Sequence, residues 1–509
     1  MSSIKIDSNS IVGIVGAGIM GRGIAQVAAK AGHKVILYDN WDGAVDNAMK
    51  INEKELSKLV SKGKMTQEDK DTTISLMNPT MKINDLAPCD LIIEAIIENK
   101  DIKQDIFKEL ENICGDVCIA SNTSSISISA LANGLQRPQN MIGIHFFNPA
   151  PIMKLVEIIY GLQSDRKLID DVYNLIASWG KKAVYVKSSP GFIVNRIARP
   201  FYAEALRIYE EGVSDFATID ESIRSGGKFR MGPFELMDLI GNDTNYSVTQ
   251  STFDSYYQDP RFKPSLTQQE FSQAGLLGRK SGEGFYPYIE GKQQNRDKVT
   301  KVIASNNKIS EIMVYGSLGV ADELIPLFKK AGIKVIEVEG DGYIEFNNIK
   351  LFLANGKMAS QISKQRNEKN IVQFDINIDY ELSSSITIAT SLLAQQHVSS
   401  NVAALFKEIN KETIIIKDSP GMIMARTVAM LVNEASSTVT NGVCDEVSAD
   451  IAMENGVNYP IGPFKWADKV GIESVLNILD NLEDFYKDTR YRADRGLIEK
   501  VITEGKYYE

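Results

Sequence analysis

The sequence predicts an α/β protein: an open parallel sheet of strands alternating with helices, an all-helical segment, a smaller degenerate α/β segment and a second all-helical segment. Three observations predict it. Short apolar runs of strand length alternate with helix-like stretches over roughly the first 190 residues, the pattern of strands buried on both faces. Residues 191 to 285 read as helix throughout, with no alternating strand pattern. The chain then repeats itself at one offset of 230 residues: Lys187-Ser188-Ser189-Pro190-Gly191 recurs as Lys417-Asp418-Ser419-Pro420-Gly421, Gly212-Val213 as Gly442-Val443, and Gly232-Pro233-Phe234 as Gly462-Pro463-Phe464.

A length of 509 residues suggests about three domains at ~150 residues each. A hydrophobic content of 43% suits sizeable cores. The net charge of −10 argues against nucleic acid as a partner, while a local lysine cluster can still hold an anionic small molecule. The four cysteines, Cys89, Cys114, Cys118 and Cys444, have neither disulfide nor zinc spacing, so no metal is expected and a reducing cytoplasm is. Met1 to Ser10 is polar and lacks an apolar signal region. No apolar run approaches the ~20 residues that span a membrane, so no membrane partner is expected.

In chain order, Ile11 to Val15 is an apolar strand that runs into Gly16-Ala17-Gly18-Ile19-Met20-Gly21. A helix over Ile24 to Ala29 and a strand over His33 to Asp39 follow, with an acid at the strand end. A lone glycine triplet of this spacing is weak. With a strand before it, a helix after it and an acid about twenty residues on, it points to a dinucleotide. Gly16 allows the turn, Gly18 lets backbone approach a pyrophosphate, and Gly21 lets helix and strand pack closely. Asp39 would accept hydrogen bonds from ribose hydroxyls and repel a 2′-phosphate, which favours NAD over NADP.

Asp42 to Lys70 reads as a helical hairpin with Lys50, Lys54, Lys58, Lys62 and Lys64 at three- to four-residue spacings. A solvated face is the plain reading; a phosphate-rich substrate is the sharper one. Asp90 to Ile96 is a strand, followed by Glu98 and a helix carrying Lys103. Val117 to Ala120 is a strand ending in Ser121-Asn122-Thr123-Ser124-Ser125, which caps a helix over 126–131. Met141 to Phe147 is the next strand, and Leu155 to Ile159 another. Glu98, Ser124 and His145 therefore all follow carboxyl ends of strands, the ligand edge of such a sheet.

His145 is one of only three histidines, and Glu157 stands in an apolar run twelve residues on. Paired across the sheet, they would make a general base, the carboxylate fixing the imidazole tautomer and stabilising the imidazolium. Taken alone, these two residues favour a blander reading, a core histidine and an edge glutamate. A helix over Asp165 to Trp179, a strand over Lys182 to Val186 and a long helix over Ile193 to Glu210, with Asn195 on its first turns, complete the first half.

At this point the sequence resembles the NAD-dependent L-3-hydroxyacyl-CoA dehydrogenases. The matching stretches are Gly16 to Gly21, Glu94-Ala95-Ile96-Ile97-Glu98, Ser121 to Ser125, His145-Phe146-Phe147-Asn148-Pro149, Pro190 to Arg196, Gly232 to Glu235 and Lys280-Ser281-Gly282-Glu283-Gly284-Phe285-Tyr286, over about residues 8 to 288. The resemblance implies a Rossmann-type NAD-binding domain and oxidation of an L-3-hydroxyacyl-CoA to the 3-oxoacyl-CoA. It implies His145 as base with Glu157, Ser124 on the substrate oxygen, and Asn195 and Asn148 as substrate contacts. Gly16, Gly18, Ile19, Met20, Gly21, Asp39, Glu98, Lys103 and Lys280 are implied as cofactor contacts. The lysine hairpin, with Lys54 and Lys58 as its representatives, would meet the CoA moiety. Long bacterial members, assigned to 3-hydroxyadipyl-CoA oxidation in phenylacetate catabolism or to 3-hydroxybutyryl-CoA oxidation, share the degenerate second half.

The division expected is residues 8–187 for NAD, 188–288 for substrate and dimerisation, 300–410 as a degenerate α/β domain and 411–509 as the helical repeat. Ala425 stands where Asn195 stands in the first copy, and Gly316-Ser317-Leu318-Gly319 lacks the three-glycine spacing. The copy is thus expected to be structural, completing within one chain a pairing that shorter relatives make between two; a homo-oligomer stays open. Two rivals remain: another NAD-dependent 3-hydroxyacid dehydrogenase, whose base would be a lysine, and a non-catalytic relative of the lens-crystallin kind.

Overall fold

The structure, a computed structural model, describes residues 4–294, 299–503 and 505–508. The first half builds an eight-stranded sheet from β1 (Val12–Val15), β2 (Val35–Tyr38), β3 (Met77–Thr80), β4 (Leu91–Glu94), β5 (Cys118–Ser121), β6 (Met141–Phe146), β7 (Leu155–Tyr160) and β8 (Lys182–Lys187). Its order is β3-β2-β1-β4-β5-β6-β7-β8, parallel throughout except for the antiparallel β6–β7 pair. The strand order reverses between β1 and β4, which opens a crevice at their carboxyl ends. Its helices are α1 (Ile19–Lys30), α2 (Ala44–Ser61), α3 (Gln67–Ser75), α4 (Lys100–Cys114), α5 (Ile128–Leu131) and α6 (Arg166–Ser178). The core lies where Val12, Ile14, Leu37, Leu91 and Ile93 of the strands meet Ile24, Ala25 and Ala28 of α1. The sequence reading did not include β3; its Asn78-Pro79 pair reads as a turn, and proline is tolerated here because the strand is an edge.

The helical segment contains α7 (Val194–Ile197), α8 (Arg199–Glu210), α9 (Phe216–Gly227), α10 (Pro233–Ile240), α11 (Asn242–Ser255) and α12 (Leu266–Gln273), and ends in a short hairpin of β9 (Tyr288–Ile289) and β10 (Lys292–Gln293). The single helix expected over 193–210 is two: Pro200 has no N–H to continue the ladder, and the chain restarts at Arg199.

The second half begins with β11 (Glu311–Tyr315), α13 (Leu324–Lys330), β12 (Lys334–Val338), β13 (Tyr343–Phe346), β14 (Ile349–Leu353), α14 (Ala359–Arg366), β15 (Ile371–Phe374), β16 (Ser385–Thr390), α15 (Val398–Glu408) and β17 (Glu412–Ile416). These strands form a seven-stranded mixed sheet, β12-β11-β13-β14-β15-β16-β17. The β13–β14 hairpin turns on Asn347 and Asn348, both at positive φ (48° and 59°), a two-residue turn that matches strand twist. The chain closes with α16 (Met424–Thr440), α17 (Glu446–Gly456), α18 (Pro463–Val470), α19 (Ile472–Tyr486) and α20 (Arg495–Ile502). Met430 stands where Pro200 stands in the first copy, and α16 runs unbroken over 17 residues.

Two compact units result, and their boundary does not follow the chain. One holds residues 1–194 together with Gly442–Val457; the other holds Asn195–Asn441 and Asn458–Glu509. In the first, α17 packs on β7 and β8, and the Lys187 amide donates to the Val443 carbonyl at 2.8 Å. In the second, α9 packs on β16, and the Lys417 amide donates to the Val213 carbonyl at 3.1 Å. Each helical repeat gives one helix to the other repeat's sheet. Within the second unit the ion pairs mirror each other too: Arg196 Nε reaches Glu434 at 2.6 Å, and Arg426 Nε reaches Glu204 at 2.8 Å.

Candidate active site

β1 ends in Gly16, whose φ of +104° disfavours any side chain; a Cβ there would stand 2.7 Å from the Ala95 carbonyl oxygen. A Cβ on Gly21 would overlap the Gly16 carbonyl oxygen at 1.8 Å, so only glycine lets α1 sit so close to the turn. At Gly18 a Cβ would meet nothing within 4 Å: the space before the start of α1 is open to a ligand. A cavity of about 690 Å³ faces it, lined by Gly16, Ala17, Gly18, Asp39, Trp41, Asn47 and the Ala95–Ile97 backbone, among others. Asp39 is anchored by the amides of Ala17 (2.7 Å) and Trp41 (2.9 Å), one on each oxygen. Trp41, 77% exposed, and Ile97, 64% exposed, border this cavity. The sequence reading missed both; an aromatic two residues after the acid at the end of β2 was the available signal. The residues fit a dinucleotide: glycine backbone, a helix N-terminus, a carboxylate and apolar walls.

Under the next strand ends lies a buried charge cluster. Lys103 is 1% exposed and its ammonium contacts Glu94 at 2.5 Å and Glu98 at 3.4 Å. Glu94, fully buried, also accepts from the Ile96 amide (2.6 Å) and the Ser121 hydroxyl (2.7 Å). The Lys103 ammonium, expected to contact the cofactor, is covered and paired with two carboxylates. Glu98 accepts from the Thr123 hydroxyl (2.6 Å), the Ser125 hydroxyl (2.9 Å) and the Ser124 amide (3.0 Å). Burial alone would raise the Glu98 carboxyl, but these donors and the Lys103 ammonium hold it below the usual range. Glu98 thereby fixes the loop that carries Ser124, which is bound by its amide rather than its hydroxyl.

His145 and Glu157 face each other in the β6–β7 register, with Nδ1 2.6 Å from the carboxylate. Glu157 is not on an edge, as the blander reading had it: β8 covers its other side and it is fully buried. Its second oxygen accepts from the amides of Ile193 (3.0 Å) and Val194 (3.2 Å). Glu157 thus meets three partners, two amide donors on one oxygen and the imidazole Nδ1 on the other, which places the ring proton on Nδ1 and leaves Nε2 unprotonated in the neutral ring. Phe147 (4.5 Å between ring centroids) and Phe192 (5.9 Å) flank the imidazole. The Phe146 amide donates to Asn122 at 2.8 Å, which ties the histidine strand to the Ser124 loop.

Beyond His145 the 148–153 loop is pinned by Lys181, whose ammonium donates to the carbonyls of Ala150 (2.5 Å) and Met153 (2.8 Å). Burial, with a lesser push from Lys30, lowers the Lys181 pKa to about 8. A second cavity of about 390 Å³ lies between this loop, α1 and α2, lined by Asn148, Ile152, Ile19, Arg22, Lys58 and Lys62 among others. Lys58 and Lys62 border it; Lys54 is exposed elsewhere on α2. Met20 is half-buried on the first turn of α1. Asn195 and Lys280 belong to the second unit, Asn195 at the start of α7 and Lys280 paired with Asp243 at 2.5 Å.

In the second copy the strand register is conserved at the same offset, Ile142 opposite Tyr160 and Val372 opposite Thr390. Asp375 therefore takes the place of His145, and Thr387 that of Glu157. Asp375 accepts from the amides of Ile423 (3.0 Å), Met424 (2.7 Å) and Ala425 (3.0 Å), and Thr387 donates to Ser222 at 2.9 Å. The position that carries a histidine in one copy carries a helix anchor in the other.

A glycine turn at the reversal of a doubly wound sheet, with a buried histidine–carboxylate pair on the same sheet, defines a dinucleotide-dependent dehydrogenase. Comparison with known proteins narrows this. Residues 11–189 match the model of the 3-hydroxyacyl-CoA dehydrogenase NAD binding domain, residues 191–288 and 421–508 that of the C-terminal domain, and residues 351–420 the 3-hydroxybutyryl-CoA dehydrogenase reduced Rossmann-fold domain. The chain is 37% identical to 3-hydroxyadipyl-CoA dehydrogenase of Escherichia coli over 97% of its own length and 98% of that protein. It is 41% identical to 3-hydroxybutyryl-CoA dehydrogenase of Clostridioides difficile over 54% of its length and 98% of the relative. A crystal structure of 3-hydroxybutyryl-CoA dehydrogenase from Escherichia coli superposes with a TM-score of 0.89 at 36% identity, over 97% of this chain and 99% of that one. The chain belongs to the 3-hydroxyacyl-CoA dehydrogenase family and is an oxidoreductase. Among the described residues no helix is long and apolar enough to cross a membrane.

Proposed function

We propose that this protein oxidises an L-3-hydroxyacyl-CoA to the 3-oxoacyl-CoA with NAD, and that 3-hydroxyadipyl-CoA and 3-hydroxybutyryl-CoA are the substrates to try first. The observation that carries it is the buried 2.6 Å His145–Glu157 pair. When bound, NAD accepts the hydrogen that leaves C3 with its electron pair. His145 Nε2 takes the 3-hydroxyl proton in the same event, and Glu157 stabilises the imidazolium that forms. The Ser124 hydroxyl donates to the substrate oxygen as charge builds on it. Asn148 and Asn195 hold the acyl-thioester, and Lys54 and Lys58 offer charge to the CoA phosphates. Gly16, Gly18, Ile19, Met20 and Gly21 form the pyrophosphate turn, Asp39 receives the ribose hydroxyls, Glu98 borders the nicotinamide end, and Lys103 acts from beneath it. Lys280 is a further candidate cofactor contact. The fourfold division at residues 8–187, 188–288, 300–410 and 411–509 describes sequence modules, two of which exchange a helix.

The test is reduction of NAD, followed by absorbance, with 3-hydroxyacyl-CoAs that do and do not end in a carboxylate. NAD is expected to be preferred over NADP by at least about a hundred-fold in kcat/KM, because a desolvated Asp39 facing a 2′-phosphate costs several kcal/mol. Absence of turnover on every acyl-CoA, or equal use of the two cofactors, contradicts the reading.

A further inference from the structure

The C-terminal repeat touches the acid–base pair through one glycine. Gly456 is the last residue of α17 and is buried in the first unit against β7. A Cβ there would stand 2.6 Å from Leu155 Cδ2 and 3.1 Å from Val194 Cγ2. Leu155 begins β7, two residues before Glu157, and the Val194 amide is one of the two that hold Glu157. Both side chains are closed to solvent, Leu155 at 0% and Val194 at 2%. So the backbone of α17 seats against the residues that fix the carboxylate, with no room for one more carbon.

The same contact is built a second time. Gly226, 230 residues earlier, is the last residue but one of α9, and a Cβ on it would stand 3.0 Å from Asn377 Oδ1 and 3.1 Å from Met424 Cγ. Met424 is the counterpart of Val194, and its amide holds Asp375, the counterpart of His145. In each unit a glycine from one helical repeat presses on the residue whose N–H anchors the carboxylate of the other repeat's sheet. Only in the first unit does that carboxylate meet an imidazole.

We propose that Gly456 is a positioning residue for the reaction: through Val194 it sets the amides that hold Glu157, and through Glu157 the tautomer and acidity of His145. The inference rests on the His145–Glu157 reading above. It gives the second half, which carries no base of its own, a direct part in setting the first half's base.

The test uses the full-length chain. Gly456→Ala pushes Val194 and Leu155 by several tenths of an ångström. Misplacement on that scale is expected to lower kcat about ten-fold or more, to move the acidic limb of the kcat/KM pH profile, and to leave the Kd for NAD unchanged. Adding Val194→Ala to Gly456→Ala relieves the 3.1 Å contact while the 2.6 Å one with Leu155 Cδ2 stays, so part of the lost kcat is expected to return. Gly226→Ala is the control: it crowds Asn377 Oδ1 (3.0 Å) and Met424 Cγ (3.1 Å) in the other unit, and it is expected to leave kcat and the pH profile as they were. Val194→Ala alone opens a gap instead of a clash, so it folds in any case, and it too is expected to move the limb. An unmoved limb in Gly456→Ala or in Val194→Ala, no recovery in the double variant, or an equal loss of kcat in Gly226→Ala overturns the proposal. If His145→Gln itself keeps near-normal turnover, the underlying acid–base reading has failed; if that variant is inactive and Gly456→Ala is unchanged, only the present inference has.

Discussion

Replacing His145 with glutamine removes the one nitrogen positioned to take a proton, while the glycine turn and Asp39 stay untouched. Loss of kcat by at least ~100-fold with an unchanged NAD affinity is the expected outcome, read by steady-state kinetics and by cofactor titration. Glu157→Gln acts in the same direction and also costs stability. Its two oxygens face Nδ1–H on one side and two amide N–H groups on the other, so either orientation of a glutamine amide sets donor against donor, at about 1–3 kcal/mol. His145 was legible because a histidine at the end of an apolar run is conspicuous among only three. The environment of Glu157 was not, since its burial depends on β8 pairing with β7, a contact that no local pattern encodes. The burial of Lys103 was not legible for a related reason: a lysine near a helix start reads as exposed, and only the fold brings Glu94 and Glu98 onto its ammonium.

The loop from Asn148 to Met153 closes one turn, the Ile152 and Met153 amides donating to the Pro149 carbonyl, and Lys181 holds the carbonyls of Ala150 and Met153. Its pKa in the fold, about 8, lies below the ordinary value of 10.5. Between these values the unfolded chain binds more protons than the folded one, so this lysine's contribution to stability rises from pH ~8 to ~10.5 and is lost as pH falls through ~8. The Tm difference between wild type and Lys181→Met is expected to shift in favour of wild type across that window; a flat difference contradicts it. Elements with a strong period were legible: β1, β2, β4 to β8, and the helices around the glycine turn. The β13–β14 hairpin was not read, although Asn347-Asn348 is a turn pair, because the flanking runs are short and mixed in polarity. The break at Pro200 was readable in principle; a proline at the second position of a new helix is tolerated, and the apolar period simply continues past it.

For the molecule as a whole, two copies of one plan share a chain, and only the first carries the glycine turn and the histidine–carboxylate pair. Calorimetric titration is expected to find one NAD per chain. The sheet of the second copy has no glycine fingerprint after β11, and Asp375, Thr387 and Ala425 stand where His145, Glu157 and Asn195 stand in the first. Ala425→Asn is expected to leave the rate unchanged; a stoichiometry near two, or a gain in rate from that variant, contradicts this. The repeat itself was legible at its offset of 230 residues, because glycine and proline words survive divergence at turns that only those residues make. The exchange of α9 and α17 between the sheets was not, because an amphipathic helix states that it has a partner and not which one.

That exchange has a consequence for the chain as it leaves the ribosome. The sheet of the first unit is synthesised by residue 194 and α6 already packs on β7 and β8, yet the side of these strands that α17 covers stays open until residues 442–457 emerge about 250 residues later. At ~5–20 residues per second the nascent protein spends roughly 10–50 s with that face bare. Ribosome-bound chains arrested shortly after residue 300 should therefore be cut by protease within or beside 155–187, or carry a chaperone there. Chains arrested once residue 457 has cleared the exit tunnel should resist. Equal resistance at both lengths would mean that some other segment shelters the strands in the interval.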